Sequence, residues 1–152
     1  MNQPTPLITI EALTTYSAED AADIGRLLPH LSQRFDGSAM SEKVLRDIIS
    51  SPYHDQLIAR DDQGHIVGTA TLSIIMATDG HNAWLEDFVV DPHVQGAGIG
   101  GKLWDAMLEW CRTKDARKLS FTSRPTRTAA HAFYLKRGAE IRDTSYFKKD
   151  IA

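Results

Sequence analysis

Apolar residues recur along this chain in two periods that take turns, one of about two residues and one of about 3.6. Residues 8–13 alternate as a short strand. Ser17-Ala18-Glu19-Asp20 then has the form of a capping box, and Ile24, Leu27, Leu28, Leu31 and Phe35 follow at helical spacing. The pattern predicts a first helix, stopped by Asp36-Gly37-Ser38. A shorter helix over 41–50 carries Leu45, Ile48 and Ile49 on one side and ends before Pro52. Residues 56–60 and 66–76 read as strands joined by an Asp61-Asp62-Gln63-Gly64 hairpin turn, and Ile66, Ala70, Leu72, Ile74 and Met76 share one face of the second. After a turn at Thr78-Asp79-Gly80 come a strand over 83–90, a glycine-rich loop, and a helix over 99–114. A strand over 118–123, a helix over 126–137 stopped by Gly138, and a final strand pair at about 139–149 complete the order β-α-α-β-β-β-α-β-α-β-β.

Composition narrows the class. With 152 residues, 42% hydrophobic and 24% charged, the chain has room for one domain with a real core, so a single domain over 1–152 is expected. Residues 1–7 carry no basic or apolar leader pattern, and no apolar run approaches the ~18 residues of a membrane span. The expectation is a soluble, cytoplasmic protein. One cysteine closes no internal disulfide, and the six histidines show no ligand-like spacing, so no metal is expected. A net charge of −3 argues against a nucleic-acid partner, but the charge is unevenly spread: residues 1–98 carry net −9 and residues 99–152 net +6. Two ligands of opposite charge would suit that split.

The chemistry concentrates in one loop. Four of the ten glycines lie in Gln95-Gly96-Ala97-Gly98-Ile99-Gly100-Gly101, between a strand and a helix. Glycines let successive N–H groups converge on one space, and the helix start adds free N–H groups and the positive end of its dipole, so the loop is suited to a phosphate or pyrophosphate. Gly96, Gly98 and Gly101 also fit G-x-G-x-x-G, but the dinucleotide fingerprint wants an acid ~20 residues on, where Phe121-Thr122-Ser123 stands. A P-loop fails because Leu103, with no hydroxyl for magnesium, follows Gly101-Lys102.

This loop in this element order resembles the GNAT superfamily of acetyl-CoA-dependent N-acetyltransferases. Gln95, Gly98 and Gly100 meet its Q/R-x-x-G-x-G/A signature, Leu85-Glu86-Asp87-Phe88-Val89-Val90-Asp91-Pro92 is similar to its cofactor strand, and 129–139 resembles its A-x-x-x-Y-x-x-x-G helix with Tyr134 in the tyrosine position. The resemblance implies an α/β (α+β) fold with a mixed, mostly antiparallel sheet of about seven strands and about four helices. It also implies an acyltransferase that moves acetyl from acetyl-CoA to a primary amine by direct attack in a ternary complex. A silent CoA-binding regulatory module is the alternative.

Particular positions inherit expected roles from that resemblance. Backbone at Gln95, Gly96, Ala97, Gly98, Ile99, Gly100 and Gly101 would cradle the pyrophosphate, with Lys102 at the rim. Val89 and Val90 would pair with the pantetheine as with an added strand, leaving the Val90 N–H for the oxyanion. His131, in place of an asparagine common in relatives, and Arg137, Arg127 or Lys136 would meet the cofactor from the later helix. Glu86 is the first candidate to take the amine's proton and Asp87 the reserve, since strand alternation turns them to opposite sides. Tyr134 would protonate the leaving sulfur. Cys111 shares core-facing spacing with Leu103, Met107 and Trp110, which disfavours a covalent route. The acceptor, a small molecule or a peptide, would be chosen by about 24–54, where His30, Arg34, Phe35, Asp36, Tyr53 and His54 offer useful chemistry. A homodimer is compatible with all of this.

Overall fold

The computed structural model describes residues 6–94 and 97–152, and these fall into two compact units, the first ending at Phe121 and the second running over Thr122–Ala152. The first unit is built on a five-stranded sheet in the order β1 (Thr9–Ala12), β2 (His54–Arg60), β3 (Ile66–Ala77), β4 (Gly80–Val90) and β5 (Leu119–Ser120). Neighbours run antiparallel until β5, which lies parallel to β4. Such a mixed, mostly antiparallel sheet with helices is the expected fold class, with five strands in place of about seven.

Helix α1 (Ala18–Leu27) starts where Ser17 accepts the Asp20 N–H at 3.0 Å. Its periodicity continues to Phe35, yet the α-helix ends at Leu27 and a 3₁₀ turn, Leu28–His30, follows. Pro29 is the cause, because a ring without an N–H cannot extend an α-helical ladder. Helix α2 (Glu42–Ser50) is capped by Ser41. Both helices pack one face of the sheet through a core of Leu13, Ala21, Ile24, Leu27, Leu45, Ile58, Ile66 and Val89. Asp23, a buried residue of α1, accepts from the Ile66 N–H at 2.9 Å and from the Arg26 guanidinium, and so ties α1 to the start of β3.

Helix α3 (Ile99–Thr113) packs against β2, β3 and β4. A Cβ at Gly68 of β3 would stand 2.9 Å from Leu103 Cδ1 and 3.2 Å from Ile99 Cγ2, so the missing side chain lets the first turns of α3 press onto the strand. Gly68 pairs with Val90, and the end of β4 is thereby brought level with the start of α3. Leu103, Met107 and Cys111 are buried along this helix, as its spacing predicts.

The second unit contains helix α4 (Thr128–Lys136), closed at Gly138, whose φ is +87°. Here two expectations are corrected: the strand over 118–123 contracts to Leu119–Ser120, and the pair over 139–149 does not form. Residues 139–149 contain no Gly, Asn or Pro to shape a tight hairpin, and Ile141, Tyr146 and Phe147 are exposed rather than gathered on one face. A two-stranded pairing with no apolar face to bury is marginal in water.

Candidate active site

Near its end β4 takes one residue too many. Thr69 pairs with Val89 and Thr71 with Glu86, so one residue of β3, Ala70, faces two of β4, Asp87 and Phe88. This bulge puts Asp87 at φ +52°, in the left-handed region that Asp tolerates better than most residues. Glu86 is exposed and accepts the Trp84 indole N–H at 2.8 Å. Asp87 turns instead into a cavity, where burial pushes its carboxyl above the usual range, Arg34 draws it back, and Glu86 adds to the rise. The two carboxylates thus sit in different surroundings.

The cavity, about 370 Å³, is within the size of small-ligand sites. Ile24, Leu28, Phe35, Met40 and Val44 give it apolar walls, and Gln56 and Thr71 from the sheet form its floor. That floor is fixed by a satisfied polar network. Gln56 donates to Thr69 Oγ1 at 2.7 Å and accepts from Thr71 at 2.8 Å, while Thr69 donates to the Leu57 carbonyl. Three of its edges come from Ser38, Ala39 and Met40, a loop pressed so closely on α1 that a Cβ at Gly25 would stand 2.0 Å from the Ser38 carbonyl oxygen. Arg34, Phe35 and Asp36 line the cavity as part of the segment expected to choose the acceptor. His30, Tyr53 and His54 are not among the lining residues; His30 meets His93 edge-on, and His54 bonds Ser51 at 2.8 Å.

On the other side of β4's end lies the start of α3. Gly98 is its N-cap at φ +63°, exposed, and among the described residues beyond its chain neighbours and its own helix backbone nothing lies within 4 Å of where a Cβ would point. Helices α1 and α2 begin with a serine cap and acidic residues in the first turn, whereas α3 has neither. The first intrahelical bond runs from Lys102 N–H to the Gly98 carbonyl, so the N–H groups of Ile99, Gly100 and Gly101 have no acceptor within the helix. An anion is the complement of that end, and exposed Lys102 adds charge beside it. Ala97 is buried; Gln95 and Gly96, also expected in this cradle, lie outside the described residues.

Between cavity and helix start runs the edge of β4 that faces away from β3. Among the described residues, its pairing with β5 covers Ala83 and Trp84. The Asp91 N–H donates to the Val67 carbonyl at 2.8 Å, so by antiparallel alternation the adjoining Val90 pair is the non-bonded kind and the Val90 N–H points away from β3. Val89, by contrast, buries its side chain in the core under α1. An extended chain bearing amides could pair along this edge, and a phosphate at its end would reach α3. The residues present therefore fit a pantetheine joined to a pyrophosphate.

In the second unit, Tyr134 lies on α4 with its ring edge-on to Phe133. Burial raises its hydroxyl above the usual phenol range against a smaller pull from Arg127, which keeps it protonated at neutral pH. His131 on the same helix has a buried Nε2 without a hydrogen-bond partner among the described residues, and Arg137 stacks its guanidinium 3.7 Å from the Phe133 ring centroid. In the first unit, burial pushes the Cys111 thiol up and away from its reactive thiolate. Among the described residues no cluster of three or more His, Cys, Asp or Glu gathers as for a metal ion, and no helix is long and apolar enough to cross a membrane.

Sequence reasoning passed over Gly25 and the Gln56–Thr71 floor. A lone glycine on the core side of a helix, between Ile24 and Leu28, is the signal that marks the first. The second gives no local sign, because its partners lie 15 residues apart on different strands.

The family model described as "Acetyltransferase (GNAT) family" matches residues 25–139. A Bacillus subtilis (strain 168) protein, named as a candidate ribosomal protein bS18-alanine N-acetyltransferase, is 25% identical over 118 residues, covering 78% of this chain and 75% of its own. Among solved structures, glucosamine-6-phosphate N-acetyltransferase from Arabidopsis thaliana is similar at a TM-score of 0.74 and 20% identity, over 94% of this chain and 98% of that one. An aminoglycoside acetyltransferase from an uncultured soil metagenomic sample, solved with sisomicin, is similar at 0.75 and 20% identity, over 93% and 95%.

Proposed function

Since the chain belongs to the GNAT acetyltransferase family, we propose that it moves an acetyl group from acetyl-CoA to a primary amine by direct attack in a ternary complex, with residues 1–152 acting as one catalytic domain. The observation that carries this reading is the end of β4, which turns Asp87 into a cavity on one side and leads on the other to an uncapped helix start. Acetyl-CoA supplies the activated acyl group. The backbone of Ala97, Gly98, Ile99, Gly100 and Gly101 holds its pyrophosphate, Lys102 adds charge, and the edge of β4 at Val90 orients the pantetheine. Gln95 and Gly96 complete the cradle in this reading, and His131 and Arg137 serve the cofactor from α4.

The amine must shed a proton before it attacks, and we assign that proton to Asp87 in preference to Glu86. Asp87 lines the cavity whereas Glu86 is exposed on Trp84, and burial raises the Asp87 carboxyl above its own ordinary value, which suits it to receive a proton. Tyr134, protonated at neutral pH, donates to the leaving thiolate. The likeness of the chain to N-acetyltransferases supports an amine acceptor without choosing among small amines, sugars and peptides.

The test joins calorimetry of acetyl-CoA binding with thiol release over a panel of amines. Wild type should bind and turn over. Gly98→Val should weaken binding tenfold or more, because a β-branched residue resists a φ of +63° and fills the space above the helix start. Unchanged affinity in that variant would remove the cradle assignment, and tight binding with no turnover across the panel would favour the silent module.

A further inference from the structure

We infer that Arg34 is a specificity-determining residue: in the free protein its guanidinium occupies the place of the acceptor's cationic amine against Asp87, and the acceptor binds by displacing it. The inference rests on the reading of the cavity as the acceptor site. Among the described residues lining that cavity, Arg34 is the one cation, and Asp36 and Asp87 are the carboxylates. Asp36 is already engaged, accepting from the Ser38 N–H at 2.9 Å and the Ser38 hydroxyl at 2.6 Å. Asp87 is therefore the carboxylate left to receive a cation. What it receives is one Arg34 nitrogen, at 3.2 Å, across 53 residues of sequence.

The pair is arranged so that the cation can leave and the carboxylate cannot. The Arg34 side chain is 65% exposed and that of Asp87 28%. The guanidinium also rests over the Phe35 ring, 4.5 Å from its centroid, so an outward swing can keep that contact without opening the fold. Once Arg34 swings away, the cavity presents two carboxylates and no cation above walls of Ile24, Leu28, Met40 and Val44. The class of acceptor this favours is an ammonium on an apolar stem. Strongly anionic amines meet like charge there.

The experiment measures n-hexylammonium binding to the full chain by calorimetry, in wild type and in Arg34→Met, Arg34→Lys and Asp87→Asn. Methionine keeps bulk without charge, so Arg34→Met should bind the probe about fivefold tighter or better, the scale of a lost exposed ion-pair competitor. Arg34→Lys, which retains a cation, should stay within about twofold of wild type. Equal, weaker or undetectable binding to Arg34→Met overturns the inference, as does a Lys variant as tight as the Met one. Asp87→Asn separates the two failures: if it loses the probe while Arg34→Met gains nothing, the cavity reading stands and only the displacement falls. If Asp87→Asn binds the probe as well as wild type, both fall.

Discussion

Asp87 bears two costs that selection for stability alone would remove, a left-handed backbone and a carboxyl drawn out of water. A carboxyl whose folded pKa lies above its unfolded value of about 3.8 takes up a proton on folding between the two. Its ionised form therefore weighs against the fold, and the deficit grows as pH rises from the unfolded value through the folded one and is complete above it. Asparagine suits a φ of +52° at least as well and carries no charge. Asp87→Asn should accordingly melt no lower than wild type at pH 7 while losing about a hundredfold or more in kcat/KM, the scale of a general base. A lowered melting point with intact activity would reverse the assignment. The acid limb of wild-type kcat/KM should lie above the ordinary carboxylate range, and Glu86→Gln should move that limb down without abolishing it, because Glu86 adds to the rise. Both carboxylates were legible in the sequence. That they face opposite sides was legible too, but which of them enters the cavity was not, because a period-two reading of 83–90 has no place for the extra residue at the bulge.

Elements whose apolar residues all face one neighbour could be read directly: α3 announces its buried side through Leu103, Met107 and Cys111, and β4 leads into it. Where the pattern ran past a backbone constraint it misled, as at Pro29, and where alternation lacked a partner it overcounted, as over 139–149. The cavity was partly visible, since 34–36 fell within the expected acceptor segment, but its shape depends on the 38–40 loop lying against α1. That loop is held by the Met40 N–H on the Ala21 carbonyl at 2.9 Å and by Ser38 on Asp36. Gly25→Ala drives a methyl into backbone at Ser38 and Ala39, with no flexible side-chain end to yield. The expected cost is about 1–3 kcal/mol, seen as a lower urea midpoint, together with a raised KM for the acceptor as the cavity wall shifts. An unchanged midpoint would mean that the loop is not held there.

At the scale of the whole molecule, residues 1–98 carry net −9 and supply all the cavity lining, while residues 99–152 carry net +6 and begin at the helix start assigned to a polyanion. Unlike charges concentrate a ligand, and salt screens them. Raising ionic strength should raise the KM of both acetyl-CoA and a cationic amine, with kcat moving less; a salt-independent KM for either would detach that ligand from its half of the charge. The parting of β4 from β5 after Trp84 has its own consequence for a cell with a fluctuating supply of CoA. If that edge pairs with pantetheine, as proposed, the sheet is finished from outside the genome, and a strand edge left unpaired is otherwise a template for another chain. Without CoA or acetyl-CoA, the protein should clump more readily and exchange its Val90 amide with deuterium faster; saturated with either, it should slow that exchange and gain RT ln(1 + [L]/Kd) in stability. CoA, acetylated or not, would then act as a conditional strand, keeping the enzyme dispersed for as long as its cleft is filled.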